Sequence, residues 1–190
     1  MDIIQMNPEN RDWLDVTENR HLDSETLVVR LAHGGFALDF RPNKRAHWHQ
    51  PDADFQLRPT PEDLLDDARG AAFFAYEKDE KGNSVIGQTV LAPYMHRLAQ
   101  VCDVRVALQR RRQGIGVALI TEAERWAWRQ GYVGLYFEAQ DNNPGACQFI
   151  LRCGFRLGGV DTLRYAGLPR RIGRPDGLCE AALGFYKFFT

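Results

Sequence analysis

The stretch of this chain best suited to chemistry is Arg111-Arg112-Gln113-Gly114-Ile115-Gly116. Its two glycines let the backbone turn tightly and approach a ligand closely. The stretch follows an apolar, strand-like segment from Leu98 to Leu108 and opens a helical pattern from Ile115 to Arg129. A helix that begins on such a turn leaves amide N–H groups pointing outward at its positive end, where an anion such as a diphosphate can sit. Arg110, Arg111 and Arg112 can neutralise further phosphate charge. The spacing narrows the ligand. A nucleotide P-loop requires Gly-Lys-Ser or Gly-Lys-Thr, and no such triplet follows Gly116. A dinucleotide fold requires a third glycine, and Val117-Ala118-Leu119 stands there instead. What remains is Arg111-x-x-Gly114-x-Gly116, a turn for a phosphorylated cofactor.

The elements that position this turn are legible from residue 71 onward. Ala71 to Glu77, Ser84 to Ala92 and Leu98 to Leu108 read as strands, with a turn at Lys81-Gly82-Asn83. The helix from Ile115 places Ile115, Leu119, Ala123 and Trp126 on one face and ends at Gly131. Val133 to Ala139 is a fourth strand. Asp141-Asn142-Asn143-Pro144 caps a second helix that closes at Gly154. Phe155 to Leu163 and Glu180 to Phe189 are the last strands, joined by a loop rich in Arg, Gly and Pro from Ala166 to Gly177. Strands then strand–helix–strand–helix–strand imply an α/β (α+β) domain with a mixed central sheet and helices on both faces. Residues 1–70 are less regular. Thr26 to Leu31 and Phe36 to Phe40 flank Gly34-Gly35 as a hairpin, and Arg41 to Pro51 reads as an exposed loop. Thr60-Pro61-Glu62-Asp63 starts a short helix that holds Leu64 and Leu65 and stops at Gly70.

Composition bounds the partners. The 190 residues suit one domain, with 71–190 as its regular core and 1–70 as a divergent part. A net charge of −1 gives no field to recruit nucleic acid or an anionic membrane. There is no apolar run long enough for a membrane span and no basic n-region at the start, so a cytoplasmic protein is expected. Cys102, Cys147, Cys153 and Cys179 form no CxxC pair, so neither a metal site nor a disulfide is expected.

The turn resembles the acetyl-CoA signature of the GNAT N-acetyltransferases, Q/R-x-x-G-x-G/A. The resemblance extends through Glu138-Ala139-Gln140-Asp141-Asn142-Asn143, Ala146-Cys147, Cys153-Gly154-Phe155 and Gly159-Val160-Asp161-Thr162-Leu163-x-Tyr165. Over residues 96–189 these segments are similar to the C-terminal half of the streptothricin acetyltransferases. The resemblance implies acetyl-CoA as co-substrate and no metal. It implies that Val104 to Val106 lie along the pantetheine, that Arg111, Arg112, Gln113, Gly114, Ile115 and Gly116 hold the diphosphate, and that Asn143 lies near the pantetheine or acyl end. Asn143 is equally an ordinary helix cap.

Two positions depart from the family pattern. Cys102-Asp103 stands where many members carry Glu-Asp. Ile150 stands where many carry a tyrosine whose phenol protonates the departing thiolate. Tyr165, Tyr136 and Cys147 are the candidate replacements. Glu138 is the first candidate base, on its family position, and Asp103 the second. The expected function is transfer of an acetyl group from acetyl-CoA to a primary amine of a small molecule, with a streptothricin-type antibiotic and hence a resistance role as one acceptor. The alternatives are a non-catalytic acyl-CoA-binding or sensor protein and an enzyme acting on protein amines. The acidic residues Asp39, Asp52, Asp54, Glu62, Asp63, Asp66 and Asp67 suit a cationic acceptor, but Arg41, Lys44, Arg45, His47 and His49 lie among them. A homodimer is left open.

Overall fold

A computed structural model describes residues 1–49, 58–80, 82–165 and 181–189. Asp52, Asp54, Cys179, Lys81 and the loop of residues 166–177 lie outside the described residues. The chain falls into two compact units. The first comprises Met1–Asn19, Pro51–Tyr136 and Phe188–Thr190, and the second Arg20–Gln50 and Phe137–Lys187.

The first unit contains strands β1 (Asp2–Gln5), β4 (Ala71–Asp79), β5 (Gly82–Tyr94) and β6 (Leu98–Val106), the start of β7 (Gly134–Gln140), and helix α1 (Ile115–Arg129). Their sheet order is β1-β4-β5-β6-β7. The pairs β1/β4, β4/β5 and β5/β6 are antiparallel. β6 and β7 are neighbours joined through α1, the helical crossover that parallel strands require, so the sheet is mixed. β4 is buried without interruption from Ala71 to Ala75, as expected of a central strand covered on both faces. On one side Met6, Leu64, Ala72, Phe74 and Val90 form a core cluster with Trp13, Leu14 and Cys102 against it. α1 packs on β4, β5 and β6, burying Ile115, Leu119, Ile120, Ala123, Trp126 and Ala127. Gly87 allows this approach, because a Cβ there would lie 2.9 Å from the Arg105 carbonyl oxygen and 3.2 Å from both Ile115 and Leu119.

The second unit holds the β2/β3 hairpin (His21–Ala32 and Gly35–His49), helix α2 (Pro144–Arg152), strand β8 (Arg156–Asp161) and all but the last residue of β9 (Ala182–Phe188). β9 pairs antiparallel with β8 and neighbours β7. α2 buries Pro144, Cys147 and Ile150, one turn apart. It packs on β2, where Gln148 Nε2 donates to Glu25 Oε2 at 2.6 Å.

Three expectations are corrected. Arg41 to His49 continues β3 rather than forming a loop. Pro42 pairs with Glu25, and the next pair is Asp23 with His47, so the ladder is interrupted beside the proline that cannot donate to it. The Thr60–Asp63 contact forms, with the Thr60 hydroxyl donating to Asp63 Oδ2 at 2.7 Å and the Asp63 amide donating back at 3.2 Å, but the residue before the helical turn is Glu62, whose side chain makes no cap. Yet the helix is one 3₁₀ turn, Asp63–Leu65, because the chain turns at Asp66 and reaches Gly70 through bonds to the Asp66 carbonyl. The third strand ends at Val106, and Leu108–Arg110 is a 3₁₀ turn. The edge strand β1 carries no sequence signal of its own and is held by its register on β4.

Candidate active site

The glycine turn connects the end of β6 to α1. Gly114 is the residue before the helix, with φ +84°, and Arg112 also lies in the left-handed region at +65°. A non-glycine residue in this region is uncommon and accumulates at ligand-holding turns. No side chain caps the first turn of α1, so its leading amides are left for a ligand. A Cβ at Gly114 would meet nothing within 4 Å, so the glycine is needed for its backbone angle rather than for room. The arginines divide their work. Arg110 Nη2 is paired with Glu77 Oε2 at 2.6 Å. Arg111 Nε donates to the Val106 carbonyl at 2.9 Å and ties the turn to its strand. Arg112 and Gln113 are exposed, and Gln113 Nε2 donates to the Gln109 carbonyl at 3.1 Å. Ile115 is buried under the helix, and Gly116 is half-buried in its first turn. Val104 and Val106 are half-buried on β6, opposite Thr89 and Gly87 of β5. An anionic, phosphorylated group fits this turn.

Asp103 lies next to these valines and is 3% exposed. Gln88 Nε2 donates to its Oδ2 at 2.6 Å, Arg105 Nε lies 2.8 Å away and Arg58 Nη1 3.4 Å away. Burial pushes the Asp103 carboxyl up, against the pull of Arg105, Gln88 and Arg58. The same two arginines bind Asp15, at 2.5 Å from Arg58 and 3.0 Å from Arg105. Burial raises the Asp15 carboxyl, but its hydrogen bond to Arg58 and the charges of Arg105 and Arg58 hold it below its ordinary value. Two acids, two arginines and Gln88 therefore form one internal network of the first unit. Composition and spacing give no sign of it, because its members come from residues 15, 58, 88, 103 and 105.

The bulge that separates Asp103 from Val101 in the β5/β6 register falls at Cys102. Burial and the neighbouring Asp103 push the Cys102 thiol up to about 12, and burial does the same for Cys147. Both are protonated thiols at neutral pH. Cys147 Sγ points to the Gln140 carbonyl, which makes it packing within α2 rather than a ready proton donor. Tyr136 is buried and stacked on Tyr94, with ring centres 4.3 Å apart. Ile150 is 0% exposed, so the position that departs from the family pattern is buried.

In the second unit the structure brings Glu138 and Tyr165 together. Glu138 sits on β7, and the Tyr165 hydroxyl donates to its Oε1 at 2.9 Å. Arg164 Nε lies 3.6 Å from the other oxygen, Oε2. Sequence reading finds Glu138 and Tyr165 but not Arg164, whose only signal is its place beside the tyrosine. Asn143 is the N-cap of α2, and its Oδ1 accepts from the Ala146 amide at 3.1 Å. Among the described residues no group of three or more His, Cys, Asp or Glu could hold a metal ion, and no helix is long and apolar enough to cross a membrane.

Known proteins share this architecture. The model of the acetyltransferase (GNAT) family matches residues 39–155. A streptothricin acetyltransferase of Escherichia coli is 29% identical over 90% of this chain and 87% of its own length. Streptothricin acetyltransferase A of Bacillus subtilis (strain 168) is 35% identical over 53% of this chain, a match that spans 56% of that enzyme. A Bacillus anthracis str. Ames protein assigned to the streptothricin acetyltransferases, solved with acetyl coenzyme A, superposes with a TM-score of 0.83 over 99% of both chains at 23% identity. Nourseothricin acetyltransferase superposes at 0.71 over 97% of this chain and 96% of its own, at 24% identity. Those two likenesses show the fold, and the family match covers more than half of the sequence. The chain belongs to the GNAT family of N-acetyltransferases.

Proposed function

We propose that this protein transfers an acetyl group from acetyl-CoA to a primary amine of a small molecule, with a streptothricin-type antibiotic as the leading acceptor. The observation that carries the reading is the Tyr165–Glu138 hydrogen bond, which couples a carboxylate to a phenol. Acetyl-CoA supplies the acetyl group already activated as a thioester. The left-handed turn at Arg112 and Gly114 and the uncapped start of α1 hold its diphosphate, while the β6 edge at Val104 and Val106 is proposed to lie along the pantetheine. An alkylammonium with a pKa near ~10.4 is almost wholly protonated at neutral pH. Glu138 attracts it and takes its proton, directly or through a water, so that the neutral amine can attack. Tyr165 orients Glu138 and is a hydroxyl able to return a proton to the departing thiolate. Asp103 is less suited to the base role, because its accepting oxygen is already engaged by Gln88, Arg105 and Arg58.

The streptothricin assignment is supported by the relatives' names and by the acidic candidate at the acceptor side. It is tested by thiol release from acetyl-CoA with streptothricin, spermidine and n-butylamine as acceptors, for the wild type and Glu138→Gln. The substitution keeps shape and removes charge. It should lower kcat/KM for the amine and leave acetyl-CoA affinity intact. Equal amine kinetics over pH 6 to 9 would make Glu138 structural. Acetyl-CoA binding with thiol release at background for all three amines would favour the non-catalytic acyl-CoA-binding reading.

A further inference from the structure

β6 bulges where it meets β5. Val90 pairs with Asp103 and the next residue, Leu91, with Val101, so Cys102 is the extra residue. Past the bulge, Asp103 to Val106 pair with Val90 to Gly87. Backbone groups alternate between the two edges of a strand. The Asp103 carbonyl accepts from the Thr89 hydroxyl of β5 at 3.1 Å, and the Ala107 amide donates to the Ile86 carbonyl at 2.9 Å. Val104 and Val106 therefore turn their backbone groups to the edge away from β5, where the Val106 carbonyl meets Arg111 Nε.

Gln88 stands opposite Arg105, and Asp103 lies two residues before it, so the three share one face of the strand pair. Gln88 Nε2 donates to Asp103 Oδ2 at 2.6 Å and to Asp15 Oδ1 at 3.2 Å, while its Oε1 accepts from the Asp15 amide at 2.8 Å. Arg58 and Arg105 each lie against both acids. Asp103 is thus fixed at its side chain and at its main-chain carbonyl, on the residue between the bulge and Val104. Desolvation offsets much of the attraction in a buried charge network, so stability alone does not account for this one.

We propose that Asp103 is a positioning residue for acetyl-CoA: gripped by Arg58, Arg105 and Gln88, it fixes the bulged segment of β6 so that the backbone of Val104 and Val106 meets the pantetheine arm in register. The inference rests on acetyl-CoA lying along this edge, and it gives Asp103 a task other than proton transfer. Arg58 acts from outside the strand pair, as the link that ties Asp103 to Asp15. The diphosphate is held elsewhere, by the turn of residues 111–116, whose shape comes from its own left-handed backbone at Arg112 and Gly114. Loosening the network therefore weakens the grip on the pantetheine and spares the grip on the nucleotide.

The test is calorimetric titration of the whole chain with two ligands, acetyl-CoA and its nucleotide half, 3′-phospho-ADP, which lacks the pantetheine arm. Asp103→Asn keeps the size of the side chain and removes its charge. It should raise the Kd for acetyl-CoA by about three- to tenfold, the worth of one displaced hydrogen bond. The Kd for the nucleotide half should change by less than about twofold. In thiol-release assays the KM for acetyl-CoA should rise in step, with kcat reduced by less than about threefold. Arg58→Gln, at a side chain 21% exposed, should give the same selective loss and decides the matter if Asp103→Asn does not fold. Added to Asp103→Asn, it should cost less than about a further twofold. Wild-type acetyl-CoA affinity in both variants overturns the proposal. So does an equal loss of both ligands, which marks general disruption of the unit. An unchanged Kd for acetyl-CoA with kcat down by about 10²-fold or more makes Asp103 a base instead and also overturns it. If the wild type binds acetyl-CoA no more tightly than the nucleotide half, the pantetheine does not use the β6 edge, and the reading beneath the proposal fails with it. If the wild type favours acetyl-CoA and both variants keep that preference, only the positioning role fails.

Discussion

The hydroxyl of Tyr165 reaches across 27 residues of sequence to donate a 2.9 Å hydrogen bond to Glu138 Oε1. The phenol that the family pattern places on the second helix is replaced there by buried Ile150, and a different phenol sits against the candidate base.

Tyr165→Phe separates two roles for that hydroxyl. If it delivers a proton to the thiolate, kcat should fall by about 10²-fold or more, the scale of general acid catalysis, and the alkaline limb of the pH profile should change. A fall of less than about tenfold with an unchanged alkaline limb would limit Tyr165 to orienting Glu138.

Ile150→Tyr should not restore an acid. Ile150 is fully buried in α2, and a larger, polar side chain there overpacks the core at a cost of about 1–3 kcal/mol. Thermal melting should show a lower Tm, and thiol release should show no gain in kcat. A faster enzyme with an unchanged Tm would contradict the buried placement.

Gly114→Val should weaken acetyl-CoA binding by about tenfold or more through backbone strain, since a β-branched residue at φ +84° is a genuine outlier. Gly114→Asn tolerates the left-handed region and should bind nearly as the wild type does. Calorimetric titration of both variants checks this. Equal affinity in Gly114→Val would remove the turn from the cofactor site.

Asp15 supplies a pH signature. Its carboxyl is held below its ordinary value of 3.8, mainly against burial, by the Arg58 hydrogen bond and the charges of Arg105 and Arg58. A depressed acid stabilises the fold above its unfolded pKa, and that contribution is lost as pH falls through the folded pKa. Asp15→Asn keeps the left-handed turn at φ +64° and should lower the Tm near pH 7, discounted because the side chain is partly exposed. The gap to wild type should close as the pH is lowered from 3.8. A gap that stays constant down to pH 2 would place the effect elsewhere.

Local signals in the sequence determined much of this protein. Ile115–Arg129 forms the helix that its apolar period requires, and Gly114 ends the turn as its lack of a Cβ permits. Asn143 and Pro144 cap and open α2 because their side chain and ring geometry suit those two positions. These features arise between residues three or four apart, so they are written in the chain. Only the tertiary structure decided what depends on distant residues. The length of β3 past Pro42 comes from pairing with His21 to Asp23. The enclosure of Asp103 by Arg58, Arg105 and Gln88 comes from three separate segments. Ile150 is turned inward by the packing of α2, and Arg164 meets Glu138 because the chain after β8 returns to β7. Burial and charge pairing are properties of neighbours in space, and residue order alone carries no record of which neighbours those will be.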